Sequence, residues 1–115
     1  MSEISEEDLI RATLRGLSRA IILWLVSQKP MSGYHITKEI TRLTERRFTS
    51  GTIYPLLYEL ERKGFITGKW TEKGRRRIKY YSITEEGEEI LGKIRRLLEK
   101  PLREILQNFL GGKPE

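Results

Sequence analysis

The stretch "SGTIYPLLYELERKGFITGKW", residues 50–70, reads as a helix followed by the start of a strand. Its opening is unusual for a helix that packs a core. Gly51, Thr52, Tyr54 and Pro55 stand where an amphipathic helix ordinarily carries strong helix formers. Thr49 or Ser50 is placed to cap it, and Pro55 falls within or just past the first turn, where a missing N–H costs little. Behind that front end Ile53, Leu56, Leu57 and Leu60 recur at helical spacing, and Gly64 stops the helix. One helix therefore meets two demands: an apolar face for a core, and a small, polar front end that something approaches closely.

Downstream, "FITGKWT" and "RIKYYSI" are rich in Ile, Thr, Tyr and Trp and read as strands, joined through "EKGRR" into a hairpin with a basic tip. Thr84 caps a last helix whose first turn holds Glu85 and Glu86, and Pro101 is expected to kink or restart it. Upstream, Ser5 caps a first helix with Glu6, Glu7 and Asp8 at its positive end, and Gly16 and Ser18 are expected to bend it into two. "SRAIILWLVSQKP" is apolar nearly all round, as a buried helix is, and ends at Pro30. Ser32 and Gly33 make a turn and cap, after which Ile36, Ile40 and Leu43 share one helical face.

Two short helices across a brief turn, then a basic hairpin, is the plan of a winged helix-turn-helix. The expected fold class is α+β and mainly helical. Residues 1–83 form a winged helix-turn-helix DNA-binding domain with its N-terminal helix, 84–110 a C-terminal dimerisation helix, and 111–115 a disordered tail. A chain of 115 residues has limited core area, so a dimer interface adds to it.

The net charge of +6 is unevenly spread. Ten basic residues lie between Glu45 and Tyr80 against four acidic ones, which accounts for the whole excess. A positive field confined to one segment is the footprint of a polyanion partner. On the front of the 50–63 helix, Gly51 lets the backbone approach a phosphate, and the free N–H groups favour an anion. Thr52 and Tyr54 reach bases or phosphates, with Tyr58 one turn further on. Each feature has a plainer competitor. Tyr34, Tyr54 and Tyr58 also suit surface or core packing, Arg75, Arg76 and Arg77 a solvated turn, and Trp24 and Trp70 half-buried packing. Arg46 and Arg47 either pair with Glu45 or touch backbone. His35 reads as a surface or capping residue.

The chain has no cysteine and one histidine, which leaves no thiol chemistry, no disulfide and no metal site of the usual kind. Phosphate loops, nucleophile elbows and histidine constellations are missing, so no enzyme and no cofactor is expected. No apolar run spans a membrane and the acidic start lacks a signal peptide's basic region, so no membrane partner and a cytoplasmic location are expected.

The segments "LIRATLRG", "AIILWLV", "SGYHITKEI", "SGTIYPLLYELERKGFI" and "RRRIKYYSITEEGEEIL" resemble PadR-type transcriptional regulators, over roughly residues 9–91. The resemblance looks like the compact, short C-terminal branch of that family. It implies a homodimeric repressor that binds double-stranded DNA at an inverted-repeat operator and is released by a small aromatic effector. It places Gly33, Tyr34, Ser50, Gly51, Thr52, Tyr54 and Pro55 near DNA, and Lys73, Gly74, Arg75, Arg76 and Arg77 in the wing. Tyr58 and Lys79 join the DNA-binding set. The last helix departs from family members that hold aromatic ligands between subunits, since its one aromatic side chain is Phe109. The alternative is a winged-helix adaptor that binds another protein without sequence-specific DNA binding; an adaptor needs no positive wing.

The last helix also carries more apolar surface than one domain hides. Leu91, Ile94, Leu98 and Ile105 follow three-and-four spacing, and Leu102, Leu106 and Phe109 widen the stripe. Part of it is expected to cover Leu9, Ile10 and Leu14, and the rest to form the dimer interface.

Overall fold

The computed structural model describes residues 3–112. Helix α1 (Glu6–Gln28) leads into a two-residue strand β1 (Met31–Ser32) and helices α2 (Gly33–Thr44) and α3 (Ser50–Arg62). The hairpin β2 (Ile66–Lys73) and β3 (Arg76–Ile83) follows, and then helices α4 (Glu85–Glu99) and α5 (Arg103–Gly111). The fold is mainly helical with a small antiparallel sheet in the order β1-β3-β2, as a winged helix-turn-helix requires.

Local chemistry explains most of the boundaries. Ser5 and Asp8 form a reciprocal capping box at the start of α1. Ser32 accepts the His35 amide at the start of α2, and Thr84 accepts the Gly87 amide at the start of α4. At the end of α3, Gly64 takes a φ of 84°, and the Phe65 and Gly64 amides donate to the Leu60 and Glu61 carbonyls. That is the paired closure of a left-handed helix stop.

Three expectations change. The first helix is not split at Gly16 and Ser18 but runs unbroken for 23 residues. Ser18 is buried, and its hydroxyl is satisfied by the Leu14 carbonyl at 2.7 Å, so nothing forces a bend. The short strand β1 pairs Met31 with Tyr81 and Ser32 with Tyr80, adding a third strand where only a turn was expected. Pro101 restarts the last helix, one of the two outcomes expected of it, giving separate α4 and α5. Helix α5 takes in Gly111, the first residue of the expected tail, and Gly112 caps it; residues 113–115 lie outside the described residues.

The core lies where α1, α2, α3 and the sheet meet. Ile22, Ile36, Ile40, Ile53, Leu57 and Ile66 are its fully buried members. At roughly 1.5–3 kcal/mol per buried side chain, this cluster supplies the main driving force of the domain. A bidentate Arg19–Glu59 pair, at 2.7 and 2.9 Å, ties α1 to α3 across its rim. The guanidinium hydrogen-bonded to Glu59 holds that carboxyl below its usual range.

Candidate nucleic-acid interface

The site is built around the start of α3. Thr49 is the extended N-cap residue, but its hydroxyl faces Thr52 Oγ1 at 3.3 Å rather than capping a backbone amide. Its carbonyl receives the Thr52 and Ile53 amides. Among the described residues the Ser50 and Gly51 amides have no acceptor, so two N–H groups point out of the positive end of the helix. Pro55 is the sixth helical residue, just past the first turn. It therefore removes one ladder bond and leaves the Gly51 carbonyl without its helical donor, a larger cost than a first-position proline carries. Ser50, Gly51, Thr52, Tyr54 and Pro55 are all exposed there, whereas Ile53 and Leu57 turn inward.

Helix α2 presents its own front end beside this one. Gly33 is buried, and a β-carbon there would stand 2.5 Å from the Tyr54 hydroxyl and 2.6 Å from its Cζ. The absence of a side chain at Gly33 is thus what lets the Tyr54 ring lie across the start of α2. Tyr34, 63% exposed, points outward with the Lys38 ammonium 5.3 Å from its ring. Ser32 also meets His35 Nδ1 at 3.0 Å, which makes His35 a capping-turn residue.

The wing completes the surface. Strands β2 and β3 pair from Ile66↔Ile83 to Lys73↔Arg76, closed by Gly74 and Arg75, with Gly74 at a φ of 63°. Lys73, Arg75, Arg76 and Arg77 are exposed. The Arg77 guanidinium stacks 4.9 Å from the Trp70 ring, which stiffens the hairpin on the α3 side. Between wing and helices lies an open concavity of about 900 Å³ that gathers Tyr34, Tyr54, Arg76 and Arg77.

The sequence-based site is only partly assembled. Lys79 does not belong with the free wing cations. Its ammonium pairs with Glu61 at 3.0 Å and lies against Trp70 and Tyr81, while its methylene chain crosses the space left by Gly68. The hydrogen bond to Glu61 raises its pKa above the usual lysine value. Tyr58 is 69% exposed but lies outside the concavity, one turn behind Tyr54. Arg46 pairs with Glu7 of α1 at 2.6 Å, not with Glu45. The Gly33–Tyr54 contact is a site feature hidden in the sequence; its only signal is that Gly33 begins α2 and Tyr54 lies near the start of α3.

The stripe on the last helices is also divided. Leu91 is 6% exposed and sits in the domain's own core, with Ile94 packed partly against it, so Leu91 is not an interface residue. Leu102 and Leu106 are half-buried. Leu98, Ile105 (63% exposed) and Phe109 (82% exposed) face outward. Leu9 and Ile10 are exposed too, rather than covered by α4.

The model of the "Transcriptional regulator PadR-like family" matches residues 22–93, from the core of α1 into α4. The chain belongs to this family. Members of the PadR family are transcriptional regulators rather than enzymes. The transcriptional regulator Rv3488 of Mycobacterium tuberculosis is 31% identical over 97 residues, 84% of this chain and 90% of that one. An uncharacterised protein of Lysinibacillus sphaericus is 33% identical over 104 residues, 86% of this chain and 93% of its own length. The crystal structure of a PadR-like transcriptional regulator from Bacillus cereus superposes with a TM-score of 0.77 at 26% identity, covering 89% of this chain and 99% of that one. Among the described residues no helix is long and apolar enough to cross a membrane.

Proposed function

We propose that this PadR-family chain is a sequence-specific repressor that binds an inverted-repeat operator in double-stranded DNA as a homodimer. The observation that carries this reading is that Tyr54 of α3, Tyr34 of α2 and Arg76 and Arg77 of the wing line one open concavity at the front end of α3, where the Ser50 and Gly51 amides are unpaired and Thr52 is exposed. In this reading the free amides and wing arginines hold phosphates, while Thr52 and Tyr54 contribute to base readout. Leu98, Ile105 and Phe109 meet their counterparts in a second copy, an apolar surface left exposed among the described residues of one chain. Twofold symmetry then sets two α3 helices on successive turns of one DNA face. The family resemblance extends the proposal to release by a small aromatic effector.

The test is the salt dependence of duplex binding by fluorescence anisotropy. Each phosphate neutralised contributes roughly 0.9 to the slope of log affinity against log salt. Replacing Arg75, Arg76 and Arg77 together by Ala is expected to flatten that slope. An unchanged slope removes the wing from the interface, and affinity that ignores salt altogether contradicts DNA binding.

A further inference from the structure

The front of α3 stands between two basic concavities, and the wing occupies only one of them. On the opposite side, Thr52 and Leu56 of α3 border a cleft of about 560 Å³ formed with α1 and the α2–α3 loop. Its walls carry Arg11, Arg15 and Arg19 from successive turns of α1, and Arg46 and Arg47 from the loop, against a single carboxylate, Glu7. By sequence count the first helix contributes nothing to the positive excess; the fold sets one arginine face of it beside the loop.

These five arginines are not equivalent. Arg19 is clamped by Glu59, and Arg46 is held by Glu7 at 2.6 Å, with Arg11 sharing the same carboxylate at 3.4 Å. Among the described residues Arg15 and Arg47 have no carboxylate within ion-pair distance, and both are exposed. They flank the cleft that opens beside Thr52, so this surface is continuous with the front end of α3.

A major groove about 12 Å wide has a phosphate row on each rim, and an α-helix with its side chains is roughly as broad. A helix end seated there has both rows within side-chain reach. Tyr54 lies on the wing side of α3, and Thr52 on the α1 side. We propose that Arg15 and Arg47, with Arg11 behind them, hold the phosphate row opposite the wing, so that each α3 is gripped from both rims of the groove. Guanidinium forks suit this task because they meet phosphate oxygens in pairs.

This inference rests on the DNA-binding reading, and the experiment separates the two. The intact protein, the Arg15→Ala/Arg47→Ala variant and the Arg75→Ala/Arg76→Ala/Arg77→Ala variant are compared on one selected duplex, by salt titration and by phosphate ethylation interference. The expected result is that Arg15→Ala/Arg47→Ala lowers the salt slope by roughly 0.9 for each phosphate no longer neutralised and erases interference on one phosphate row. The wing variant erases it on the other row. Arg15→Lys/Arg47→Lys keeps most of the slope, and unchanged thermal unfolding shows that the exposed substitutions leave the fold intact. If the wing variant flattens the slope and Arg15→Ala/Arg47→Ala alters neither slope nor interference, the second grip is wrong while DNA binding stands. If the intact protein shows no salt-dependent duplex binding, both fall.

Discussion

Gly33→Ala isolates the role of Tyr54 without substituting any proposed DNA-contacting side chain. The new methyl carbon would stand 2.5–2.8 Å from the Tyr54 hydroxyl, Cζ and Cε1, where ordinary contact begins at 3.4 Å. The ring must therefore withdraw by roughly 1 Å. It is an exposed side chain on the outer side of α3, and among the described residues no hydrogen bond holds its hydroxyl, so it swings outward rather than forcing the backbone apart. A torsional departure of that kind costs about 0.5–1.5 kcal/mol. Gly33 is the first residue of α2 and its φ is not positive, so alanine returns about 0.4–1 kcal/mol through the unfolded chain. Stability should thus change by less than about 1 kcal/mol, a few degrees in Tm at most. Binding should respond far more, because a base-edge contact is worth about 1–3 kcal/mol, roughly a 5- to 150-fold rise in Kd. The assay pairs anisotropy titration with thermal unfolding, and Tyr54→Phe reports the hydroxyl alone. A variant with unchanged Tm and unchanged Kd would refute the role given to Tyr54. A collapse in Tm would show instead that the Gly33–Tyr54 contact is core packing.

Thr52→Ala should cost about 1–3 kcal/mol on the best DNA site and much less on random duplex, read by competition titration; equal loss on both confines Thr52 to backbone contact. Leu98→Glu places a charge on the exposed α4 face and should give monomers by light scattering at low concentration, with the helical content of the intact chain preserved. Gly87→Ala drives a methyl group into the Phe65 carbonyl, which also accepts the Thr84 amide, so neither side can yield cheaply. That variant should lose about 3 kcal/mol and at least roughly 10 °C in thermal unfolding. The Glu7, Glu39 and Glu59 carboxyls are all held below their usual value of 4.5, each chiefly by a hydrogen-bonded arginine. Their contribution to stability is complete above about pH 4.5 and is lost as pH falls through their lowered values, so denaturant midpoints should decline in that acid range and Glu59→Gln should soften the decline.

What the sequence disclosed is what short-range chemistry controls. Ser5, Ser32 and Thr84 begin their helices, Gly64 ends α3, Gly74 turns the hairpin and Pro101 divides the last helix, each through interactions spanning a few residues. The front end of α3 was legible for the same reason: its small residues and proline contradict the apolar pattern behind them. What stayed hidden depends on distant partners. Ser18 looked like a helix breaker because its bond to the Leu14 carbonyl, and the burial of Ile22, Leu23 and Val26 beyond it, cannot be read from local propensity. Lys79 looked like a DNA-contacting cation because nothing in the hairpin announces Glu61. Leu91 and Leu98 share one periodic stripe, yet the first faces its own core and the second faces out, since spacing defines a helical face and not what covers it.

The central claim is that a twofold pair of α3 front ends reads DNA. Selection of the intact protein against random-sequence duplexes at moderate salt tests it most directly. The expected result is enrichment of an inverted repeat whose half-site centres lie about one helical turn apart, roughly 34–36 Å, bound by two chains per duplex. No enrichment, or tight binding of one chain to a single unrepeated half-site, would contradict it.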